Sequence, residues 1–186
     1  MNFALDLVIS VFSIAVVVQY AVSLRTHFAS EKMPTGTVVI SLVVTATSVL
    51  YLLLLWFGTQ NTTAQIVGLL MEISGMALFW WAIKASRAAR LKMAFDKENP
   101  HGLVTTGPYA YLRHPFYTSY LIFWFGWATT TWSPWAILPL PVIIVIYVLA
   151  ALGEERKFSN TAMAADYAAY RQRSGFFWPK LTGRPG

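Results

Sequence analysis

The 186-residue chain is 56% hydrophobic and 12% charged, with a mean hydropathy of +0.52. Soluble domains carry about a quarter charged residues, so this composition excludes an ordinary soluble fold and points to an integral membrane protein. The net charge of +6 comes without a Lys/Arg run interleaved with aromatics, which excludes nucleic acid as a partner, and the lack of cysteine excludes disulfides, thiolate metal sites and cysteine nucleophiles.

A bilayer core roughly 30 Å thick takes about 20 residues of helix, so the chain has room for five spans in a single domain over residues 1–186. Residues 3–24 read as the first span, a retained helix rather than a cleaved signal, because no basic stretch precedes it. Residues 25–36 are a polar loop and 37–57 a second span, followed by a short turn without Lys or Arg. A third span covers 64–83, and its helical pattern continues through Lys84, Arg87 and Arg90 on one face. A fourth, short span is expected at 115–132 and a fifth at 134–153, the turn between them so tight that the two must form an antiparallel hairpin. Residues 154–186 are a polar tail with a short helix near 161–173.

With the N-terminus outside, all 14 Lys and Arg residues fall on inner segments and the two outer turns hold none, as the positive-inside rule requires. The expected fold is therefore all-α, with five transmembrane helices, the N-terminus outside and a short cytoplasmic C-terminal helix. Residues 101–117 and the tail then share the cytoplasmic face.

Residues 101–117 concentrate the chemistry. Irregular backbone carrying His101, Arg113 and His114 cannot face hydrocarbon, where unpaired amides are costly, so it sits at the membrane face or lines a walled cavity. Gly107-Pro108 forces a turn, and Pro115 suits the first turn of a helix. The free amides of that helix start, beside Arg113, form a site for an anion or carboxylate; a lipid-headgroup clamp is the alternative. The hairpin brings Glu154 and Glu155 beside His114. Those carboxylates could hold ribose hydroxyls, an ammonium or a cationic sulfonium, or could simply pair with Arg113, Arg156 or Lys157 at the surface.

The runs Leu103-Val-Thr-Thr-Gly-Pro-Tyr109 and Arg113-His-Pro-Phe-Tyr117, the pair Glu154-Glu155, and Tyr167 and Tyr170 ahead of Pro179 resemble the isoprenylcysteine carboxyl methyltransferase family. That family lies within a wider group of membrane methyltransferases that includes phospholipid N-methyltransferases, and the resemblance covers roughly residues 65–181. It implies an S-adenosylmethionine-dependent enzyme built of transmembrane helices with no Rossmann domain, and the sequence shows no metal-ligand cluster. His101, Leu103, Val104, Tyr109, His114, Pro115, Tyr117 and Glu154 or Glu155 fall on the family's cofactor-contacting motifs. Methyl transfer is one in-line displacement that needs chiefly positioning. Arg113 would orient a carboxylate acceptor, while an amine acceptor would give His114 or a glutamate, Glu154 or Glu155, the work of a base. The expected reaction is carboxyl O-methylation of a prenylcysteine-like, lipophilic or lipidated substrate drawn from the membrane lipids. An N- or S-methyltransferase of a phospholipid or small molecule is the alternative, ahead of an NADPH-dependent sterol-type reductase or a non-catalytic scaffold or transporter. Ala150 stands where the eukaryotic prenylcysteine enzymes place an arginine. The expected location is a multi-pass position in a bacterial inner membrane or the endoplasmic reticulum, with the site facing the cytoplasm.

Other polar and aromatic residues stand out. Glu72, near mid-span, is either functional or a neutral acid bonded to a neighbouring helix, with Gln19 and Thr45 as candidate partners. Trp80, Trp81, Trp124, Trp127, Trp132 and Trp135 read as aromatic belts. The Phe176-Phe-Trp-Pro179 run is expected to dip the tail into the interface, and Tyr167 and Tyr170 either close the cofactor pocket or pack the tail helix down.

Overall fold

The computed structural model describes residues 2–27, 35–87, 103–161 and 163–180. Within them the chain forms helices α1 (Phe3–His27), α2 (Thr35–Phe57), α3 (Thr62–Arg87), α4 (Pro115–Thr130), α5 (Leu140–Ser159) and α6 (Ala164–Arg173). Two 3-10 turns, Gly107–Ala110 and Pro134–Ile137, precede α4 and α5. The described residues hold no β-strand, only an isolated parallel bridge between Leu112 and Gly175.

Four segments are long and apolar enough to cross a membrane: Phe3–Ser23, Val38–Phe57, Thr62–Arg87 and Pro134–Phe158. Helix α4 is not among them. Its 16 residues reach roughly 24 Å at about 1.5 Å each, short of a 30 Å hydrocarbon core. Large apolar side chains such as Val11, Leu42, Leu70 and Leu149 point outward, the pattern of a bundle whose solvent is itself apolar.

Helix α3 packs on α4 through glycine. A Cβ on Gly68 would sit 2.5 Å from the Gly126 carbonyl oxygen, one on Gly126 2.8 Å from that of Gly68, and one on Gly75 2.8 Å from that of Ser119. Where lipid removes the hydrophobic drive between helices, such small residues let backbones approach and gain dispersion contacts. Around this seam lies an aromatic core of Tyr51, Phe79, Phe123, Trp124 and Trp127.

Several boundaries differ from those the sequence predicts. Helix α1 runs past residue 24, and the fifth helix begins at Leu140, because Pro134 and Pro139 first impose a 3-10 turn. It also runs on to Ser159, so Glu154 and Glu155 lie within α5 and Arg156 and Lys157 occupy its last turn. Of the tryptophans expected to form belts, Trp80, Trp81, Trp132 and Trp135 are exposed, but Trp124 and Trp127 are buried. Their rings stack at 5.8 Å, and the Trp124 indole donates to Tyr147 Oη at 3.1 Å, which provides the polar partner a buried tryptophan needs.

A candidate active site where α4 begins and α5 ends

The approach to α4 is a chain of tight turns. Gly107 adopts φ +62°, a left-handed conformation, and a Cβ there would come within 2.9 Å of Ala85 on α3. Pro108 and Tyr109 then bury against α3, where Val104 and Tyr109 join Ala82 in a small apolar cluster. His114 caps α4 with φ −124° and ψ 59°, and Pro115 takes the first turn, where its missing N–H leaves no bond unmade.

The tail fastens this segment from outside. Arg113 N donates to Gly175 O at 2.7 Å, and Gly175 N donates to Tyr111 O at 2.9 Å. Tyr170 Oη on α6 donates to the carbonyls of Tyr109 and Leu112, at 2.7 and 3.2 Å. The Tyr167 ring stacks on Phe158 at 5.0 Å. Both tyrosines thus pack α6 down, one of the two readings the sequence allowed. The Phe176 ring meets the His114 ring at 4.9 Å, and the Arg113 guanidinium lies 5.6 Å above Phe176. Phe176 and Phe177 therefore pack against His114, and Trp178 alone of the three is exposed.

The α4–α5 hairpin delivers the expected meeting of His114 with both glutamates. His114 Nε2 lies 3.2 Å from Glu155 Oε1, and Nδ1 lies 3.5 Å from Glu154 Oε2. Both ring nitrogens thus face carboxylate oxygens, and both carry a hydrogen only in the imidazolium. Burial lowers the His114 pKa, but hydrogen bonds and charge from Glu154 and Glu155 outweigh it, so the net direction is up from 6.5.

The two glutamates divide the work. Glu155, only 7% exposed, also takes Arg113 Nε at 2.7 Å, with Arg171 Nε at 3.6 Å. Glu154 keeps 26% of its side chain exposed and accepts a short hydrogen bond from Tyr117 Oη. It is thus a carboxylate fixed on two sides and open on a third, able to meet a cationic or hydroxyl-bearing ligand. Arg113, expected to face a ligand, is engaged within the protein. Beyond Glu155 it donates to the carbonyls of Ser174 at 2.5 Å and Arg171 at 3.3 Å.

Of the residues singled out in the sequence, Leu103, Val104, Tyr109, Arg113, His114, Pro115, Tyr117, Glu154 and Glu155 all lie on the segments that converge here, whereas His101 lies outside the described residues. Sequence reasoning missed Ser174 and Gly175, which act through backbone atoms and leave no side-chain signature. Glu72 is fully buried on α3 and meets neither Gln19 nor Thr45. Its partner is Ser13 on α1, whose Oγ lies 2.6 Å from Oε2.

The chain belongs to the phospholipid methyltransferase family, whose model matches residues 63–165, the stretch from the start of α3 into α6. Among curated proteins it is similar to protein-S-isoprenylcysteine O-methyltransferase A of Arabidopsis thaliana, 29% identical over 106 residues, which are 56% of this chain and 54% of that protein. The B protein of the same plant is 24% identical over 118 residues, 63% of this chain and 57% of its own length. The chain thus spans just over half the length of these two relatives. No solved structure matches it.

Proposed function

We propose that this protein transfers a methyl group from S-adenosylmethionine to a lipophilic acceptor at the membrane, with a prenylcysteine-like carboxyl group as the acceptor. The observation that carries the proposal is the convergence of His114, Tyr117 and the part-open Glu154 inside the family-matched segment. When bound, S-adenosylmethionine supplies an electrophilic methyl on a cationic sulfonium. The donor set fits such a group: Glu154 is held by Tyr117 and His114 yet presents acceptor capacity outward to an ammonium or a ribose hydroxyl. Val104, Tyr109, Pro115 and Tyr117 supply apolar and aromatic surface, while Glu155 and Arg113 hold the segment in place. Positioning and exclusion of water are what a one-step displacement asks of these side chains.

In this reading α4 is the fifth membrane-crossing element, its shortness met by local thinning or by the polar segment before it. The N-terminus lies outside, and the site opens to the cytoplasm together with the basic residues of α3, α5 and α6. The acceptor then enters sideways from the bilayer. The names of the two plant relatives support a prenylcysteine carboxylate.

One observation favours a second acceptor, the amine of a phospholipid such as phosphatidylethanolamine. Arg113 is committed to Glu155 and to backbone carbonyls, and Ala150 offers no cation, so a carboxylate finds neither partner among these residues. Transfer of tritiated methyl from S-adenosylmethionine, by protein reconstituted in vesicles, tests both acceptors. Label is expected on the prenylcysteine analogue. Label on the amine lipid alone selects the second acceptor, and label on neither, with no binding of S-adenosylhomocysteine, overturns the methyltransferase reading.

A further inference from the structure

Arg113 is spent inside the protein, so a carboxylate acceptor has to find its donors elsewhere. One ring in from Glu154 stands a cluster of tyrosines. Tyr117, whose hydroxyl donates to Glu154, has its ring 6.2 Å from that of Tyr120 and 5.7 Å from that of Tyr147. The Tyr120 ring in turn lies 5.5 Å from Tyr147 and 4.6 Å from Tyr20. Three helices contribute to the cluster: α1 brings Tyr20, α5 brings Tyr147, and α4 brings Tyr120, nearly one turn or about 4.5 Å deeper than Tyr117.

The hydroxyls of this cluster hold unspent hydrogens. Tyr120 and Tyr147 are each 7% exposed and Tyr20 is 8% exposed. Tyr147 Oη accepts from Trp124 Nε1 at 3.1 Å, and its own hydrogen has no acceptor among the described residues. Tyr120 Oη makes no hydrogen bond among the described residues. Tyr20 Oη, beside Ser119, meets no group at hydrogen-bonding geometry, and the Ser119 hydrogen goes instead to Phe116 O at 2.7 Å. Buried hydroxyls are normally paired, so three donors left open in one place point to an acceptor atom that enters from outside.

That atom is an anionic oxygen. A cation held by aromatic rings needs open ring faces within about 6 Å of it, and here the tyrosines pack on one another, with Phe79 and Phe123 at 4.8 and 5.6 Å from Tyr20. An ammonium would also bring further hydrogens and leave these three unspent. Hydrogen bonds from hydroxyls to a carboxylate are short and strong, and several neutral donors converging on one anion in an apolar site hold it without a cation. The neighbourhood does not repel such a group, because Arg113 and the imidazolium of His114 balance Glu154 and Glu155.

We propose that the hydroxyls of Tyr20, Tyr120 and Tyr147 receive one oxygen of the acceptor's carboxylate and leave its other oxygen free to react. The site rests on the methyltransferase reading and supplies the carboxylate contacts that Arg113 and Ala150 do not. The full chain in nanodiscs, saturated with S-adenosylhomocysteine and then titrated with a prenylcysteine analogue or with its carboxamide, tests it. Wild type binds the acid about tenfold or more tighter than the carboxamide. Tyr120→Phe keeps the ring and removes only the hydroxyl, so it shrinks that preference by about tenfold while Tm and S-adenosylhomocysteine affinity stay at wild-type values. Tyr20→Phe shrinks the preference in the same direction, which a packing role alone would not do. Equal binding of acid and carboxamide by wild type, or an undiminished preference in folded Tyr120→Phe, overturns the tyrosine site and leaves the methyltransferase reading standing. A wild type that binds no S-adenosylhomocysteine, seen in the first step of the same experiment, overturns that reading and the site with it.

Discussion

Arg113 Nε and Glu155 Oε1 stand 2.7 Å apart, with only 10% and 7% of their side chains exposed, and join the start of α4 to the last turns of α5. The same guanidinium reaches the carbonyls of Arg171 and Ser174, so one buried ion pair ties the hairpin to the tail. Removing one member of such a pair strands the other charge away from water. Glu155→Ala is therefore expected to lower stability by about 3 kcal/mol or more, read as a fall in Tm in detergent. Arg113→Lys keeps the charge but loses the fork that serves three acceptors, and should lose a large part of the same stability. Wild-type Tm in both variants would remove the pair from the structural account.

His114 makes stability depend on pH with a definite sign. Its folded pKa is raised because Glu154 and Glu155 outweigh the effect of burial, so the folded state holds the proton more tightly than the unfolded chain does. That contribution is fully present below about pH 6.5, the unfolded value, and is lost as pH climbs through the higher folded value. Tm should fall between pH 6.5 and 9, and His114→Gln should flatten that fall. A His114→Gln protein with the wild-type slope would assign the titration to another group.

Two glycines separate packing from propensity. A Cβ on Gly126 would meet Gly68 O at 2.8 Å and Glu72 N at 2.9 Å, backbone atoms that cannot swing aside, whereas a Cβ on Gly153 in α5 meets nothing within 4 Å. Gly126→Ala should destabilise by about 1–3 kcal/mol through overpacking. Gly153→Ala should be neutral or stabilise by about 0.5–1 kcal/mol through reduced backbone entropy in the unfolded chain. Equal Tm values for the two variants would contradict the α3–α4 seam.

The meeting of His114 with Glu154 and Glu155 was legible in the sequence because a tight turn between two apolar runs leaves their far ends side by side, and both ends carry charge. The exposure of Trp132 and Trp135 was legible for a similar reason, since a turn between two helices exposes what it carries. Trp124 and Trp127 were not, because burial of an indole depends on facing partners such as Tyr147, which no local pattern announces. The same holds for Glu72, whose partner Ser13 is 59 residues away on another helix. The docking of the tail was hidden more deeply. Beside the Tyr170 hydroxyl and the Arg113 guanidinium, it is made by main-chain groups of Tyr111, Arg113, Ser174 and Gly175, and every residue carries those groups. The bonds of Arg113 to the carbonyls of Arg171 and Ser174 followed from that docking and were invisible as well, whereas its pairing with a glutamate was one of the readings the sequence allowed.

The acceptor can be decided by the protons it must lose. A prenylcysteine carboxylate is already ionised near neutrality and needs no base, whereas a phospholipid amine must shed a proton before or during attack. His114 is a weaker candidate for that step, because its pairing with Glu154 and Glu155 raises its pKa and so favours the imidazolium. The group left to take the proton is Glu154, with Tyr117 donating to its other oxygen. On a carboxylate acceptor, Glu154→Gln should weaken S-adenosylhomocysteine binding and leave the turnover number at saturating donor within about threefold of wild type, with a flat profile over pH 6–9. On an amine acceptor the same substitution should cost about 10²-fold or more in turnover, and the wild-type rate should climb with pH. The checking measurement is tritiated methyl transfer at saturating donor to both acceptors, wild type beside Glu154→Gln. A flat wild-type profile on the prenylcysteine analogue, with turnover nearly preserved in the variant, is the expected result. A rising profile confined to phosphatidylethanolamine and lost with Glu154 would transfer the assignment to the amine.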